Sequence, residues 1–294
     1  MIKENEVFDF IDQQKEKWPT YAANLKQLEA VETKEFNFGS YSIIAQHNPA
    51  RIVSTGANVD SKSIASRKCF LCKENRPAEQ LKLDIGTKYT LLVNPFPILK
   101  NHLTIASTSH CEQSIYNNIE DMLSIAASLP HFIVFYNGPK CGASAPDHMH
   151  FQAVAKDQLP FEKQFALQES IILSDNRDGK IRMINGMGRK CIHLHSSRTD
   201  MMASFFRQMY NQLAQGRKEE PMMNIFVRFE NGAFDLFIFC RKAHRPSQYF
   251  LEKDPWMISP GAIDMGGIMV IPREEDFKRI NKEVIEDIYK QVSL

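Results

Sequence analysis

The sequence lacks a net charge of either sign: 36 lysine and arginine residues stand against 35 aspartate and glutamate residues in 294 positions. A chain without a basic excess has no field with which to follow a nucleic-acid backbone, so we expect no nucleic acid partner. It also lacks an apolar run near the ~20 residues that span a bilayer, and its start, MIKENEVFDF, lacks the pattern of a signal peptide. These absences predict a cytoplasmic protein with no membrane partner.

Cysteine is also scarce, with six irregularly spaced residues in the whole chain. Without a secretion signal, this number indicates free thiols and metal ligands rather than a disulfide framework. Only Cys69 and Cys72 form a Cys-x-x-Cys pair. Hydrophobic residues, by contrast, make up 43% of the chain, which is enough for one large domain or two closely packed halves.

Hydrophobic periodicity predicts a mixture of helices and strands. Helices are predicted from the start of the chain to Pro19 and at residues 23–31, 115–129, 200–214 and 274–291. Strands are predicted at residues 36–46, 89–94, 103–106, 131–136, 149–155, 190–195, 223–229, 234–240 and 267–271. Because no low-complexity linker divides the chain, we expect one continuous or closely packed sheet system rather than independent modules.

The segment His148-Met149-His150-Phe151-Gln152, which we call the box, alternates polar and apolar residues, as a strand with one functional face does. Alternate side chains of a strand share a face, so the two histidines and the glutamine should point one way while the apolar residues pack. Two histidines on one strand face are also compatible with a structural metal or with satisfied, half-buried imidazoles. The glutamine and the glycine-rich loop that precedes the segment favour a catalytic interpretation.

That loop, NGPKCGAS at residues 137–144, predicts a phosphate pocket. Glycines permit close backbone approach, and asparagine and serine offer hydrogen bonds to a phosphate. The predicted substrate-binding residues of the loop are Asn137, Gly138, Gly142 and Ser144. The Gly/Ser/Arg/Lys-rich segment 51–68 has two interpretations: it is a loop over an anionic ligand, which adds Arg51 to the site, or it is a solvated surface loop.

Gln152 restricts the reactions that the site can catalyse, because an amide cannot titrate and so cannot act as a general acid. It can donate a hydrogen bond to a phosphoryl oxygen. A nucleophilic imidazole beside a group that does not ionise suits leaving groups that depart readily as anions, such as sugar phosphates or nucleoside polyphosphates. A covalent nucleotidyl-histidine would then be captured by a second phosphate-type acceptor in a ping-pong reaction.

These motifs resemble those of the histidine triad and galactose-1-phosphate uridylyltransferase superfamily, in its transferase branch. The branch includes the uridylyltransferases, the diadenosine tetraphosphate phosphorylases and the GDP-hexose phosphorylases, and the His-Met-His-Phe-Gln-Ala form at residues 148–153 looks most like the last of these. The resemblance covers most of the chain, through residues 48–51, 69–72, 94–97, 102, 148–153 and 261–277. It implies an α+β fold of two histidine-triad-like halves, a mostly antiparallel sheet flanked by helices. Residues 1–294 would form a single unit, with a catalytic half at 32–160 and a diverged second half at 161–294.

The same resemblance implies roles for single residues. His150 would take the nucleotide, and Gln152 would hold its phosphate. The uridylyltransferases bind zinc through a Cys-x-x-Cys pair, a histidine before the main helix and the first histidine of the box, and the residues found here in that order are Cys69, Cys72, His110 and His148. Two thiolates and two imidazoles suit a closed, structural zinc site. The alternative is that the two cysteines are small buried hydrophobes.

The chain also departs from the uridylyltransferase pattern. Asp147 occupies an extra position before the box, so loop contacts cannot be carried over from that branch. His193 and His195 lack a glycine loop before them and are predicted to be structural residues of the diverged half. His244 is expected on a surface loop, and His102 is expected to orient or pack rather than to catalyse.

The favoured function is a nucleotidyltransferase or phosphorylase. It would take a nucleotide monophosphate from an NDP-sugar or a dinucleoside polyphosphate and pass it to phosphate or a sugar phosphate. A histidine triad hydrolase would be expected to carry a third histidine where Gln152 stands. A zinc-stabilised nucleotide-binding protein without turnover would not need the nucleophile. The uridylyltransferases pair into dimers, so a homodimer is an open expectation that the composition does not decide.

Overall fold

Thirteen strands and ten α-helices are found in residues 3–57 and 60–294, the part of the chain that this computed structural model describes. The strands are β1 Glu32–Asn37, β2 Ser42–His47, β3 Leu83–Ile85, β4 Tyr89–Val93, β5 Leu103–Ser107, β6 Phe132–Asn137, β7 His150–Ala155, β8 Ser170–Asn176, β9 Gly179–Ile184, β10 Cys191–Ser196, β11 Met223–Glu230, β12 Ala233–Cys240 and β13 Ile268–Ile271. The helices are α1 Glu4–Lys17, α2 Pro19–Glu29, α3 Ile52–Thr55, α4 Ser61–Ser66, α5 Ile119–Ser128, α6 Pro160–Gln164, α7 Thr199–Ala214, α8 Ala262–Met265, α9 Glu274–Arg279 and α10 Lys282–Val292. Short 3-10 turns lie at Pro49–Arg51, Lys73–Asn75, Phe165–Leu167 and Ser247–Phe250.

Ten of the strands form one sheet in the order β3-β4-β5-β7-β6-β11-β12-β10-β9-β8, and every neighbouring pair is antiparallel. The two halves of the sheet have equivalent strand orders when each is read from its edge to the middle of the sheet. In each half of the sheet, three strands are followed in the chain by a long helix and two further strands: β3–β5, α5, β6 and β7, then β8–β10, α7, β11 and β12. The predicted fold class is therefore confirmed. The boundary at residue 160 stays a prediction.

A second, three-stranded sheet joins the two ends of the chain. β1 pairs with β2 in antiparallel fashion, and β13 lies parallel to β2 on its other side. Residues of this sheet and of α10 pack on one face of the ten-stranded sheet, while α1, α5 and α7 cover the other face. Both faces are thus buried, which explains why β4, β5 and β6 are buried along their whole length rather than at alternate positions.

Several predicted elements differ from the observed ones. Segment 36–46 is a hairpin rather than one strand, because the chain reverses between β1 and β2 through Gly39, whose φ is +91°. The predicted C-terminal helix is two helices, and Asn281 begins the second by accepting a hydrogen bond from the backbone N–H of Val284. The segment 51–68 forms α3 and α4 rather than one open loop, although residues 58 and 59 lie outside the described range. Strands β3, β8 and β9 were not predicted.

Of the helices in the described ranges, none combines the length and the apolarity needed to cross a bilayer.

Candidate active site

β7 lies between β5 and β6, near the middle of the ten-stranded sheet. Phe151 and Ala153 are buried on the face covered by α5, and Val154 is buried on the opposite face. His150 and Gln152 therefore lie on the face opposite α5, as strand alternation requires. His148 precedes the first residue of the strand and is 1% exposed. The packing of the apolar residues of the box thus determines the face of the sheet on which its polar residues lie.

His150 is held in the protonation form that a nucleophile needs. Its Nδ1 lies 2.8 Å from the backbone oxygen of His148. A carbonyl oxygen can only accept, so Nδ1 carries the proton and donates it. Nε2 keeps its lone pair, and no residue in the described ranges hydrogen-bonds to it. Burial lowers the pKa of His150 to about 4, so the imidazole is neutral at physiological pH.

His102 fixes the orientation of Gln152. The backbone N–H of Ile98 donates to Nδ1 of His102 over 3.2 Å, so the proton of this imidazole is on Nε2. That Nε2 lies 2.8 Å from Oε1 of Gln152 and donates to it. With its oxygen engaged in this way, the glutamine presents its NH2 group as a donor. Burial, aided by the charge of Arg51, lowers the pKa of His102 to about 3, which keeps the orienting imidazole neutral.

Arg51 is the cationic residue that the sequence predicted for this site. It ends the 3-10 turn after β2, and its Nη1 donates to the backbone oxygen of Phe96 over 2.9 Å. Phe96 lies two residues before Ile98, whose backbone N–H binds His102, so Arg51 is held against the segment that orients His102. Burial lowers the pKa of Arg51 to about 10, with Asp264 acting in the opposite direction, so the guanidinium remains charged at neutral pH.

The four predicted metal ligands lie together, with their donor atoms within 4.8 Å of one another. Sγ of Cys69 is 3.3 Å from Nδ1 of His148, Sγ of Cys72 is 3.2 Å from Nδ1 of His110, and Sγ of Cys72 is 3.6 Å from Nδ1 of His148. In a tetrahedral site with zinc–nitrogen and zinc–sulfur bonds of about 2.0–2.3 Å, neighbouring ligand atoms are roughly 3.3–3.8 Å apart. The distances between the donor atoms therefore fit tetrahedral coordination of a zinc ion.

The chemistry of the donors also fits a cation. Nε2 of His148 donates to the backbone oxygen of Ser107 over 2.8 Å, so its Nδ1 is free of a proton and faces the thiols. Burial, together with the neighbouring Cys69, raises the pKa of Cys72 to about 11, because two adjacent thiolates repel each other. A divalent cation removes that penalty. Asp147, the extra residue before the box, pairs with Arg67 at 2.6 Å and lies 4.0 Å from Nε2 of His110.

The glycine-rich loop is docked against the second half of the chain. Oδ1 of Asn137 accepts from Nδ2 of Asn224 over 2.9 Å and from the backbone N–H of Ala262 over 2.7 Å. Gly142 has a φ of +111°, and a Cβ on it would lie 2.7 Å from the Cα of Gly261. Gly142 is thus required by a close contact within the protein, whatever its role toward a phosphate.

The other two predicted loop residues differ in their surroundings. A Cβ on Gly138 would lie 2.9 Å from the backbone oxygen of Met223, so this glycine also packs closely on β11. Ser144 is half-buried, and its hydroxyl makes no hydrogen bond to the residues that the structure describes. The role of Ser144 in binding a ligand stays a prediction.

Sequence reasoning missed the support that the second half gives to the loop. Arg241 is 2% exposed, and its Nη1 donates to Oδ1 of Asn224 over 2.6 Å and to the backbone oxygen of Pro260 over 2.9 Å. Asn224 in turn donates to Asn137, so a chain of three side chains joins the end of β12 to the loop. A single sequence gives no signal for it, because the three residues are far apart along the chain.

The three histidines of the predicted second half are engaged elsewhere. Nε of Arg182 donates to Nδ1 of His193 over 2.9 Å, and Nε2 of His193 donates to Asp235 over 2.8 Å. Both ring nitrogens of His193 are thus occupied, which leaves no lone pair for a metal although His193, His195 and Asp235 lie close together. His244 is half-buried in the loop after β12 and lies 3.3 Å from the hydroxyl of Ser259.

Two comparisons of sequence each match part of the chain. Residues 10–155 match the family described as "Domain of unknown function (DUF4922)". A galactose-1-phosphate uridylyltransferase of Clostridium acetobutylicum is 30% identical over an alignment of 128 residues, and the match covers 37% of this chain. The matched part spans 26% of the length of that enzyme, about a quarter.

The likeness in structure extends over the whole chain. The crystal structure of yeast Ap4A phosphorylase Apa2 has a TM-score of 0.65 at 15% identity, covering 100% of this chain and 99% of that one. The same enzyme in complex with Ap4A has a TM-score of 0.64. The matched sequence is similar to that of a galactose-1-phosphate uridylyltransferase, and the chain as a whole has the fold seen in the Ap4A phosphorylase.

Proposed function

We propose that the protein is a nucleotidyltransferase that forms a covalent nucleotidyl-histidine on His150 and passes the nucleotide to a phosphate-type acceptor. The observation that carries this proposal is the bond from Nδ1 of His150 to the backbone oxygen of His148, which leaves a neutral imidazole with a free lone pair on Nε2. Activated nucleophiles of covalent enzymes are held in this way, with the group that fixes their protonation form in hydrogen-bond contact.

The proposed first step moves no proton. Nε2 of His150 attacks the α-phosphorus of the nucleotide, a phosphorus–nitrogen bond forms, and the phosphorus–oxygen bond to the leaving phosphate group breaks. The leaving group departs as an anion and needs no general acid. The NH2 group of Gln152 and the guanidinium of Arg51 stabilise charge on the phosphoryl oxygens. In the second step an oxygen of the acceptor phosphate attacks the same phosphorus, and the electron pair returns to Nε2.

The substrates that we propose are an NDP-sugar or a dinucleoside polyphosphate, with phosphate or a sugar phosphate as acceptor. Support comes from the named activities of the relatives, a uridylyltransferase and an enzyme crystallised with Ap4A. Hydrolysis suits the site less well, because water needs a base and the amide of Gln152 cannot act as one. A cytoplasmic location and a homodimer stay predictions from the sequence.

We also propose that Cys69, Cys72, His110 and His148 hold a structural zinc ion. A bound zinc would neutralise the two thiolates and tie the Cys69–Cys72 segment to the start of the box strand. Four protein ligands complete a tetrahedral shell, so the ion would support the site without contacting substrate.

The covalent step is tested with donors radiolabelled at the α-phosphate, such as Ap4A and UDP-glucose. Wild-type protein should acquire label that is stable in base and lost in acid, and His150→Asn should acquire none. His195→Asn, a change at a histidine outside the site, is the matched control and should label like wild type. Equal labelling of His150→Asn would contradict the proposal. A screen for phosphate-dependent release of NDP from NDP-sugars and dinucleoside polyphosphates would then identify the substrate.

A further inference from the structure

Gln113, in the segment between β5 and α5, holds the backbone of His150 from both sides. Its Oε1 accepts from the backbone N–H of His150 over 2.8 Å, and its Nε2 donates to the backbone oxygen of His150 over 3.0 Å. The same Nε2 also donates to the backbone oxygen of Asn137 over 3.0 Å. One side chain, 4% exposed, thus binds the peptide groups of the nucleophile and of the first residue of the glycine-rich loop.

These bonds occur where the sheet stops being continuous. β6 and β7 pair in register from Phe132 opposite Ala155 to Phe135 opposite Gln152. Two residues further on, Asn137 and His150 would face each other, but Gln113 bridges their carbonyl oxygens instead. The inserted amide therefore replaces the ladder at the point where the glycine-rich loop leaves the sheet.

The backbone of Gln113 is itself fixed. Its N–H donates to the backbone oxygen of Pro146 over 3.0 Å, and the N–H of Met149 donates to the backbone oxygen of Cys111 over 2.7 Å. The segment 111–113 therefore runs beside the box like an added strand. It follows directly after His110, one of the four residues that we propose as zinc ligands.

We infer that Gln113 is a positioning residue for the nucleotidyl transfer, an inference that rests on the proposed function. It sets the position of His150 relative to the loop that would hold the phosphate, because it binds both backbones through one rigid amide group. A shift of the nucleophile by about 1 Å can slow a reaction by about 100-fold. Gln113 makes no step of the chemistry itself and acts through His150.

Gln113→Glu separates this role from a general effect on folding. The new carboxylate can still accept from the N–H of His150, but it cannot donate to the carbonyl oxygens of His150 and Asn137, which would repel it. We expect the rate of covalent labelling by Ap4A or UDP-glucose at about pH 8 to fall by about 10- to 100-fold. Because burial raises the pKa of a carboxyl group, acidification would protonate it and restore one donor, so the deficit should shrink toward about pH 5.5.

Two further variants make the result decisive. Gln168→Glu is the matched control, since Gln168 is also buried and its Nε2 donates to the backbone oxygens of Ser40 and Gln164. It should label at the wild-type rate. Gln113→Met keeps the length of the side chain without a charge or a donor, and it should label slowly at every pH. Metal content and melting temperature are measured for all three variants.

The outcomes distinguish the inference from the function on which it rests. Slow labelling of Gln113→Glu that recovers in acid, with the metal retained, supports the positioning role. Normal labelling of both Gln113 variants, while His150→Asn stays unlabelled, overturns the positioning role and leaves the proposed function intact. Equal slowing at every pH in Gln113→Glu and Gln168→Glu overturns it as well, because the loss would then be a general effect of a buried carboxylate. Wild-type protein that never labels overturns both.

Discussion

Replacement of His102 by glutamine would test the neutral charge state of the imidazole that orients Gln152. A glutamine carries both a donor for Gln152 and an acceptor for the backbone N–H of Ile98, so the variant keeps groups for both hydrogen bonds. Unlike the imidazole of His102, the glutamine side chain does not titrate. We expect the stability of His102→Gln to depend less steeply on pH than the stability of the wild type.

The size of the difference follows from the lowered pKa of His102. Burial first, and the charge of Arg51 second, lower this pKa from 6.5 to about 3. Between pH 6.5 and 3 the imidazole is protonated in the unfolded chain but not in the folded protein, so the free energy of unfolding falls as the pH drops through this range. Above pH 6.5 the imidazole is neutral in both states, and His102 adds no pH dependence. The slope is about 1.4 kcal/mol per pH unit. By about pH 4.5 the wild type should have lost roughly 3 kcal/mol more than the variant.

The assay is urea denaturation of both proteins at a series of pH values, with the difference between the two free energies plotted against pH. Carboxylates and metal ligands are shared by the two proteins, so their titration cancels in the difference. Parallel curves would refute the reasoning. An NMR titration of the wild type that placed the pKa of His102 near 6.5 would refute it too.

Three further predictions concern the remaining features of the site. Wild-type protein should contain one zinc per chain by elemental analysis, and Cys69→Ser and His110→Ala should each lose it; full metal content in both would contradict the four-ligand site. Gln152→Glu should still accept from His102 but can no longer donate to a phosphoryl oxygen, so covalent labelling should fall by about 100-fold with little change in melting temperature. Arg241→Met leaves the buried carbonyl groups that Arg241 binds without a donor, so it should lower the free energy of unfolding by about 3 kcal/mol in urea denaturation. Arg217→Met, at the exposed Arg217, is the control and should change the free energy of unfolding by less than about 0.5 kcal/mol.

The helices and strands with strong local patterns were predictable, and those without one were not. α7 carries an apolar stripe of Met202, Phe206 and Met209 at helical spacing, and it ends where predicted. β8 was missed because its apolar residues form a consecutive run, Ile171 to Leu173, that is exposed at the sheet edge rather than alternating. The break between α9 and α10 depends on one cap at Asn281, which apolar periodicity does not reveal.

The metal ligands could be predicted as a set only through the resemblance to the uridylyltransferases. Spacing alone joins Cys69 to Cys72, whereas His110 and His148 lie 38 and 76 residues after Cys72. The structure brings them together because β5 and β7 are neighbours in the sheet, and each histidine lies just beyond the end of one of these strands.

By itself, the sequence determined which side chains share a face at the box, because alternation along a strand is a local property of the backbone. His150 and Gln152 could be assigned to one face on that ground alone. Only the tertiary structure decided what makes them competent: which nitrogen of His150 carries the proton, which end of Gln152 is presented, and what holds both in place. Those properties come from His102, Gln113 and residues of the second half, and their contacts exist only once strand register and core packing have set the distances.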